Sequence, residues 1–578
     1  MLPRLVLVAA SFLYASPLLA ADPDSAVEGK LIAEWIEQLQ GADAGARVRA
    51  VDALKRSEAP EAAAALGKAL RTPDEEFRWH VTTALGGMRK AGVPPLVEAL
   101  TDPEAEVRRS AAVALARIGQ PAKGAAPALC TALTDSDSDV REFAASALGS
   151  IRSEADTSVP ALVTALKDPH FHVRSAAASA LGRFRGSAGT ITPALVATLG
   201  DSQSDVRDSA ASALAQFGPS SVPPLLSALS DQNEEVRESA ADALGLIGTA
   251  AQAAVPKLMV ALKDPQPRVR LSAVSALSYI GPAAQPAVPS LISALEDESV
   301  SVRSSAAYAL GRLGSLSEGA IPRLTAAISD PRAEIRRSAA KALGGIGAGA
   351  QSAVPALVGA LGDPAPEVCE AAVNSLGDVG SPDPAAVTGL AMALKNRSET
   401  IRAQAARALA KLGPGAQPVV PALKSALEDP NEFVRSAVIT AIGKIGPAEI
   451  VVPILLVACQ DRHEFVRAAA ADALGRIGPM ASAAVPVLSR AMKDTNAFVR
   501  MSAVAALGRM GDAGAPAAKE MGLALEDSNQ FVREAAAEAL GDLGPAAEPA
   551  LPRLQAALKD SDEDFRKQLE EAIKKIGK

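Results

Sequence analysis

Aromatic residues are scarce in this sequence, at 3% of 578 residues, while apolar residues as a whole reach 48%. A chain with so few large rings must fill its interior with small side chains, mostly alanine. Small side chains let helices approach closely and suit thin, regular layers. Cysteine is nearly absent as well. Cys130, Cys369 and Cys459 form an odd, scattered set, which excludes a disulfide framework and leaves small apolar fillers. Histidine occurs 4 times. His170 and His172 flank one phenylalanine and His463 precedes Glu464, with no further ligands at metal-site spacing, so no metal and no cofactor are expected. A basic surplus is missing too. The net charge is −8, which excludes a general nucleic-acid binder. No nucleophile motif and no phosphate-cradling G-x-G-x-x-G loop occurs, so no catalytic residue is assigned.

Long apolar runs are confined to the N-terminus, MLPRLVLVAASFLYASPLLAADPDS. Arg4 supplies a short positive start. Residues 5–19 are apolar but short for a membrane span, and Ala20 and Ala21 are the small residues of a cleavage site. Residues 1–21 therefore read as a signal peptide, and the mature chain as periplasmic or secreted, with no stable membrane insertion after cleavage. An uncleaved anchor is the competing reading.

What the sequence has in abundance is one line, written many times. Residues 234–248 read EEVRESAADALGLIG, 465–478 FVRAAAADALGRIG, and 531–544 FVREAAAEALGDLG. With the Arg of each V-R taken as position r, the line recurs in 17 units from Arg47 to Arg566, mostly 33 residues apart, with Cys369 in one Arg slot. Residues 22–107 hold the degenerate, capping units and 108–578 the regular array. Each unit predicts two helices. Proline at r−14, as in Pro256 and Pro289, suits the first turn of the first helix. Apolar residues at r−1, r+3, r+6, r+7 and r+10 give the second helix a 3.6-residue period. Glycine at r+11 in 13 of the last 15 units predicts a left-handed cap. Glycine at r+8 removes a side chain where a neighbouring helix could approach.

The proline in the first helix, the aspartate at r−6 and the V-R that opens the second helix resemble the HEAT repeat, in the short form found in bilin-lyase subunits. The resemblance runs from about residue 40 to 577. It implies an all-α fold: a right-handed α-solenoid, or superhelix, of about 17 two-helix repeats with the second helices on the concave side. It also raises two enzyme families. Deoxyhypusine hydroxylases resemble this architecture but carry repeated His-Glu pairs, and here His463-Glu464 stands alone. Bilin lyases act on cytoplasmic pigment proteins, at odds with an export signal.

Aspartate fills r−6 in 14 of the last 15 units. We read the Asp and Arg columns as a ladder that docks each layer on the next. Where Arg gives way to Cys369, the following unit has Asn396 in place of Asp. Arg of one unit bonding Asp of the next would put both losses on one rung and strand no charge. The rungs expected on that scheme include Arg303–Asp330, Arg336–Asp363 and Arg402–Asp429.

Positions r+1, r+5 and r+9, with r+2 at the edge, face away from the apolar stripe. Most hold polar residues. Around units 237–303 they hold Leu246, Leu271, Tyr279, Tyr308 and Arg312, a candidate protein-binding patch; two tyrosines without a role is the bland alternative. Lys411, Lys444, Arg476 and Arg509 form a basic row at r+9. It reads either as helix C-terminal cations or as a surface for an acidic partner. Phe433, Phe465, Phe498 and Phe531 recur at r−2, where packing between turns is expected. The sequence thus points to an exported protein-binding scaffold. The alternatives are an enzyme or lyase-like chaperone on the same fold, or a structural spacer in a larger assembly. The partner's identity and the oligomeric state are not written in it.

Overall fold

A computed structural model describes residues 29–57, 59–559 and 563–578. The segment expected to be a signal peptide, and Asp560 of the expected ladder, lie outside the described residues. Every regular element among the described residues is helical. The chain divides into two compact units, one up to Pro224 and one of Leu225–Lys578. The first is built of helix pairs such as Ala126–Ala132 with Ser138–Ile151, and the second of pairs such as Val255–Ala261 with Pro267–Ile280. Both units are stacks of an α-solenoid.

One repeat shows the construction. Val255–Ala261 starts with Pro256 in its first turn, where the missing N–H leaves no carbonyl unpaired. Gln266 then leads into Pro267–Ile280. Its apolar face is buried through Val269, Ala273, Ala276, Leu277 and Ile280, against Leu258 of the first helix. Each buried leucine contributes about 1.5–3 kcal/mol. Prolines 160, 193 and 453 lie inside their helices instead. In those repeats the segment before the proline coils as α-helix, so the helix begins earlier than the proline signals.

The glycine at r+11 differs from the left-handed cap expected. Gly248 has φ +67° and ψ −136°, a region that only glycine enters readily. The chain needs it because it turns straight into the 3-10 stretch Gly248–Ala254 instead of unwinding through a left-handed residue. Gly380 does take the left-handed form; no 3-10 stretch follows it. The r+8 glycines mark helix crossings. A Cβ on Gly475 would stand 2.6 Å from Ala506 Cα of the next repeat. Two helical stretches, Glu234–Ala261 and Ala333–Ala360, each contain a window long and apolar enough to match a membrane span. Each is a helix pair broken at a positive-φ glycine, Gly248 or Gly347.

Within Leu225–Lys578 the second helices pack directly on one another in succession. First helices are spaced more widely: Val288–Ala294 and Ile321–Ala327 are bridged by the 3-10 stretch Gly314–Ala320. The second helices form the tighter, inner layer, so their outward columns line the inner side of this unit.

Candidate protein-binding surface

The inner columns are held in register by the Arg–Asp ladder. Arg402 Nε and Nη2 donate to Asp429 Oδ2 and Oδ1 of the next repeat, at 2.6 and 2.9 Å. Its Nη1 donates to the Asn396 and Arg397 carbonyls of its own turn, at 3.0 and 3.1 Å. Asp429 Oδ1 also accepts the Asn431 N–H at 2.9 Å. One guanidinium thus ties its own turn to the next one, in the bidentate geometry that suits Arg. Ten rungs close this way, from Arg108–Asp135 to Arg500–Asp527. Burial pushes the Asp429 carboxyl up, but the Arg402 hydrogen bond, the Asn431 N–H and nearby guanidinium charge outweigh it, holding the group below its ordinary 3.8.

Not every rung closes, and three places within the units show how the pattern breaks. Arg303–Asp330, expected as a rung, is open. Arg303 Nη1 bonds its own turn at Asp297 O, 2.7 Å, and Asp330 Oδ1 accepts the Arg332 N–H at 2.8 Å. Both groups keep the own-turn bonds that closed rungs also make, but Arg303 Nε is left buried without a partner. At the second place Cys369 Sγ contacts the Leu361 carbonyl at 3.2 Å and Asn396 Nδ2 at 4.0 Å. Asn396 Oδ1 still accepts the Ser398 N–H at 2.9 Å, so the turn is capped without a charge. At the third, among the early repeats, Asp102 takes Arg71 at 2.6 Å. Arg78 lies 3.7 Å from Glu106; the spacing from Arg78 to Arg108 is three residues shorter than the common period.

The candidate patch stands on three consecutive second helices, Glu234–Ile247, Pro267–Ile280 and Val300–Leu313. Leu246, Tyr279 and Tyr308 are 61%, 57% and 58% exposed. The Arg312 guanidinium lies 5.3 Å from the Tyr279 ring centroid and 6.0 Å from that of Tyr308. Cation–π contact of this kind holds the arginine over the rings. The structure thus brings Tyr279, Tyr308 and Arg312 into one cluster, with Leu246 at the same height one repeat away. Leu271 is half-buried at the opposite end of its helix. The basic row is partly neutralised. Lys411 Nζ bonds Asp378 at 2.6 Å, and Asp472 takes both Arg476 and Arg509; Lys444 is exposed.

The phenylalanine column, expected to pack between turns, does so only in part. Phe433 and Phe465 stack with centroids 5.9 Å apart, yet the four rings remain 44–63% exposed. Asn431, His463, Asn496 and Asn529 each accept the N–H of the phenylalanine two residues on. That cap fixes each ring in the first helical turn, on the rim and outside the apolar stripe. The cysteines are free. Burial raises all three thiols, Cys459 to about 12, so the thiolate needed for nucleophilic chemistry is disfavoured. Sequence reasoning passed over Arg337, Lys341 and Arg407. They stand at r+1 and r+5 and needed those columns to be read for charge as well as for apolar residues.

Comparison with known proteins agrees with this architecture. The family model described as HEAT repeats matches in nine overlapping stretches, from residues 32–116 to 517–574, that together span nearly the whole chain. No curated protein matches in sequence. Among solved structures, a chain from the complex of Kap95p with RanGDP is 15% identical, with TM-score 0.63, covering 96% of this chain and 82% of that one. Importin beta is 16% identical, with TM-score 0.62, covering 94% and 88%. The karyopherin Kap121p bound to the extreme C-terminus of the phosphatase Cdc14p is 14% identical, with TM-score 0.60, covering 94% and 72%. At these identities the likeness is one of fold. With the repeat matched over nearly its full length, this chain belongs to the family of HEAT-repeat proteins.

Proposed function

We propose that this chain is an exported protein-binding scaffold that holds its partner on the inner columns of its second helices. The observation that carries the reading is the Tyr279–Arg312–Tyr308 cluster, exposed and pre-ordered on rigid helices. Tyrosine and arginine bury large areas at little entropic cost and dominate interface energies. The fold is also used for protein ligands elsewhere: Kap121p structures hold Cdc14p, Ste12p and Nup53p. The leader-like N-terminus supports a periplasmic or secreted location. The raised thiols support binding over nucleophilic catalysis by cysteine.

Replacing both tyrosines, Tyr279→Ala with Tyr308→Ala, should weaken partner capture by about 1–4 kcal/mol and leave melting nearly unchanged. Affinity capture from the exported fraction, wild type against variant, reads the effect. Equal capture by the variant rejects the patch. N-terminal sequencing of the same exported protein should begin near Ala21 or Asp22; an intact Met1 in the cytosol rejects export.

A further inference from the structure

The exposed columns change sign along the chain. In the seven repeats from Arg303 to Arg500, positions r+1, r+2, r+5 and r+9 carry eight cations and three carboxylates, in a chain of net charge −8. All three carboxylates are engaged. Asp378 takes Lys411 and Asp472 takes Arg476 and Arg509, while Glu370 accepts Gln404 Nε2 at 2.7 Å. Five cations are left without a carboxylate among the described residues: Arg312, Arg337, Lys341, Arg407 and Lys444. Four of them are exposed and Arg337 is half-buried. The repeat at Arg237 presents Glu238 in the same columns, and the repeat at Arg533 presents Glu538, beside Glu534, which accepts Gln530 Nε2 at 2.7 Å, and Asp542, 3.7 Å from Lys575. The second-helix columns from Arg303 to Arg500 are therefore a positive track flanked by acid on each side, with Tyr279 and Tyr308 at its N-terminal end.

From this we infer that the track binds one extended, acidic polypeptide segment, anchored by an apolar or aromatic side chain against Leu246 and Tyr279. The inference rests on the scaffold reading and names the partner's chemistry. Stacked helices stand about 8–10 Å apart, and an extended chain advances about 3.3 Å per residue. An acidic residue at about every third position would therefore keep step with the repeats over a segment of about 15–20 residues, passing the repeat at Cys369, which offers no cation in these columns. The acidic ends set its register by repulsion. A nucleic acid fits the track poorly. Duplex DNA carries a charge about every 1.7 Å, far denser than cations one repeat apart, and a long polyanion would run onto both acidic ends.

The test uses the full mature chain and a fluorescein-labelled synthetic peptide of about 18 residues, the length set by that spacing. The peptide carries Glu at every third position among Ser and Gly, with one terminal Tyr. Anisotropy titration should show saturable binding that weakens as salt shortens the screening length. Affinity should fall about ten-fold or more in Arg407→Glu with Lys444→Glu, with helicity by circular dichroism unchanged. A peptide with Lys in place of Glu should not bind. The inference is overturned if the acidic peptide binds no better than a Gln version, or equally to the charge-reversed protein. Tighter binding of a single-stranded oligonucleotide of the same length would likewise overturn it. The scaffold reading is judged separately, by capture of the natural partner. If the double tyrosine variant loses that capture while charge reversal leaves it intact, the scaffold stands and the acidic track falls.

Discussion

The junctions at Cys369–Asn396 and at Arg402–Asp429 are consecutive and differ in one chemical idea. In the second, a guanidinium and a carboxylate meet in two hydrogen bonds of 2.6 and 2.9 Å, nearly out of solvent, with Asp429 8% and Arg402 14% exposed. In the first, a thiol 3% exposed faces an amide at 4.0 Å. The backbone job is the same in both: Asn396 and Asp429 each accept the N–H two residues on, at 2.9 Å. The comparison separates two functions of the column. Capping the turn needs an oxygen acceptor at r−6, and Asn serves as well as Asp. Joining the layers needs the charge pair, and there Asn with Cys gives up most of the bond. The open rung at Arg303–Asp330 adds that having both residues is not enough: they make the same own-turn bonds as Arg402 and Asp429, yet do not meet across the layers.

Acid should break this comparison most severely, because it acts on every closed rung together. A carboxyl held below its unfolded value of 3.8 in the folded state stabilises fully above that value. The contribution is lost as pH falls through the folded value. The rungs with Asp363, Asp494 and Asp527 shift in the same direction. Hydrogen exchange at about pH 5 and again near pH 3 should show protection lost across the Arg402–Asp429 junction and its closed neighbours. The neutral junction at Cys369–Asn396 should change least. Equal loss at both junctions would mean that the ladder carboxylates do not set acid stability.

A single substitution should make the same point locally. Arg402→Ala leaves the Asp429 carboxylate with the Asn431 N–H and no guanidinium bonded to it across the layers. Charge-assisted hydrogen bonds contribute about 1.5–3 kcal/mol, so local opening between these two repeats should become easier by about that amount. In a nearest-neighbour stack the damage stays at the junction. Adding Asp429→Asn should recover part of the loss, because that change makes the site like Cys369–Asn396. Protection factors for helices Glu399–Leu412 and Glu432–Ile445 read both steps. An unchanged profile in Arg402→Ala would show that the rung adds nothing to docking.

Much of this was open to a reader of the sequence alone. The 33-residue period, the apolar stripe and the glycine stops specify the helix pairs, because each repeat is a local unit whose contacts lie one period away. The paired substitution at 369 and 396 is the sequence trace of the bonding drawn between Arg336 and Asp363. Other features were not legible. Arg303 and Asp330 match the motif in full and make the same turn bonds as the closed rungs, so their failure to meet has no trace in residue type. The ψ of Gly248 depends on the 3-10 stretch that follows it, which no residue type announces. The exposure of Phe433 and its three counterparts turns on where a capped first turn points, which periodicity leaves open. The sign change along the inner columns was written in the sequence, but it appears only when charges are summed by column across repeats.

The smallest expected effect comes from converting the neutral junction into a charged one. Cys369→Arg alone would bring a guanidinium to a site that is 3% exposed. Its Nη1 would find turn carbonyls, as Arg402 does. Its other nitrogens would face Asn396, whose Oδ1 already accepts the Ser398 N–H. Asn396→Asp alone would place a carboxylate opposite a thiol. Each single change therefore buries charge without a full partner and should be neutral or destabilising. Together they recreate the bidentate rung, so the pair should couple favourably by about 1–2 kcal/mol in a double-mutant cycle. The net gain over wild type should be smaller, about 1 kcal/mol, because the packed thiol is lost and the new charges must be desolvated. Hydrogen exchange over residues 363–412 should show protection rising in the double variant and in neither single one. If Cys369→Arg alone gave the full gain, the guanidinium would be pairing with Asp363 of its own turn, and charge across the layers would not be what distinguishes the two junctions.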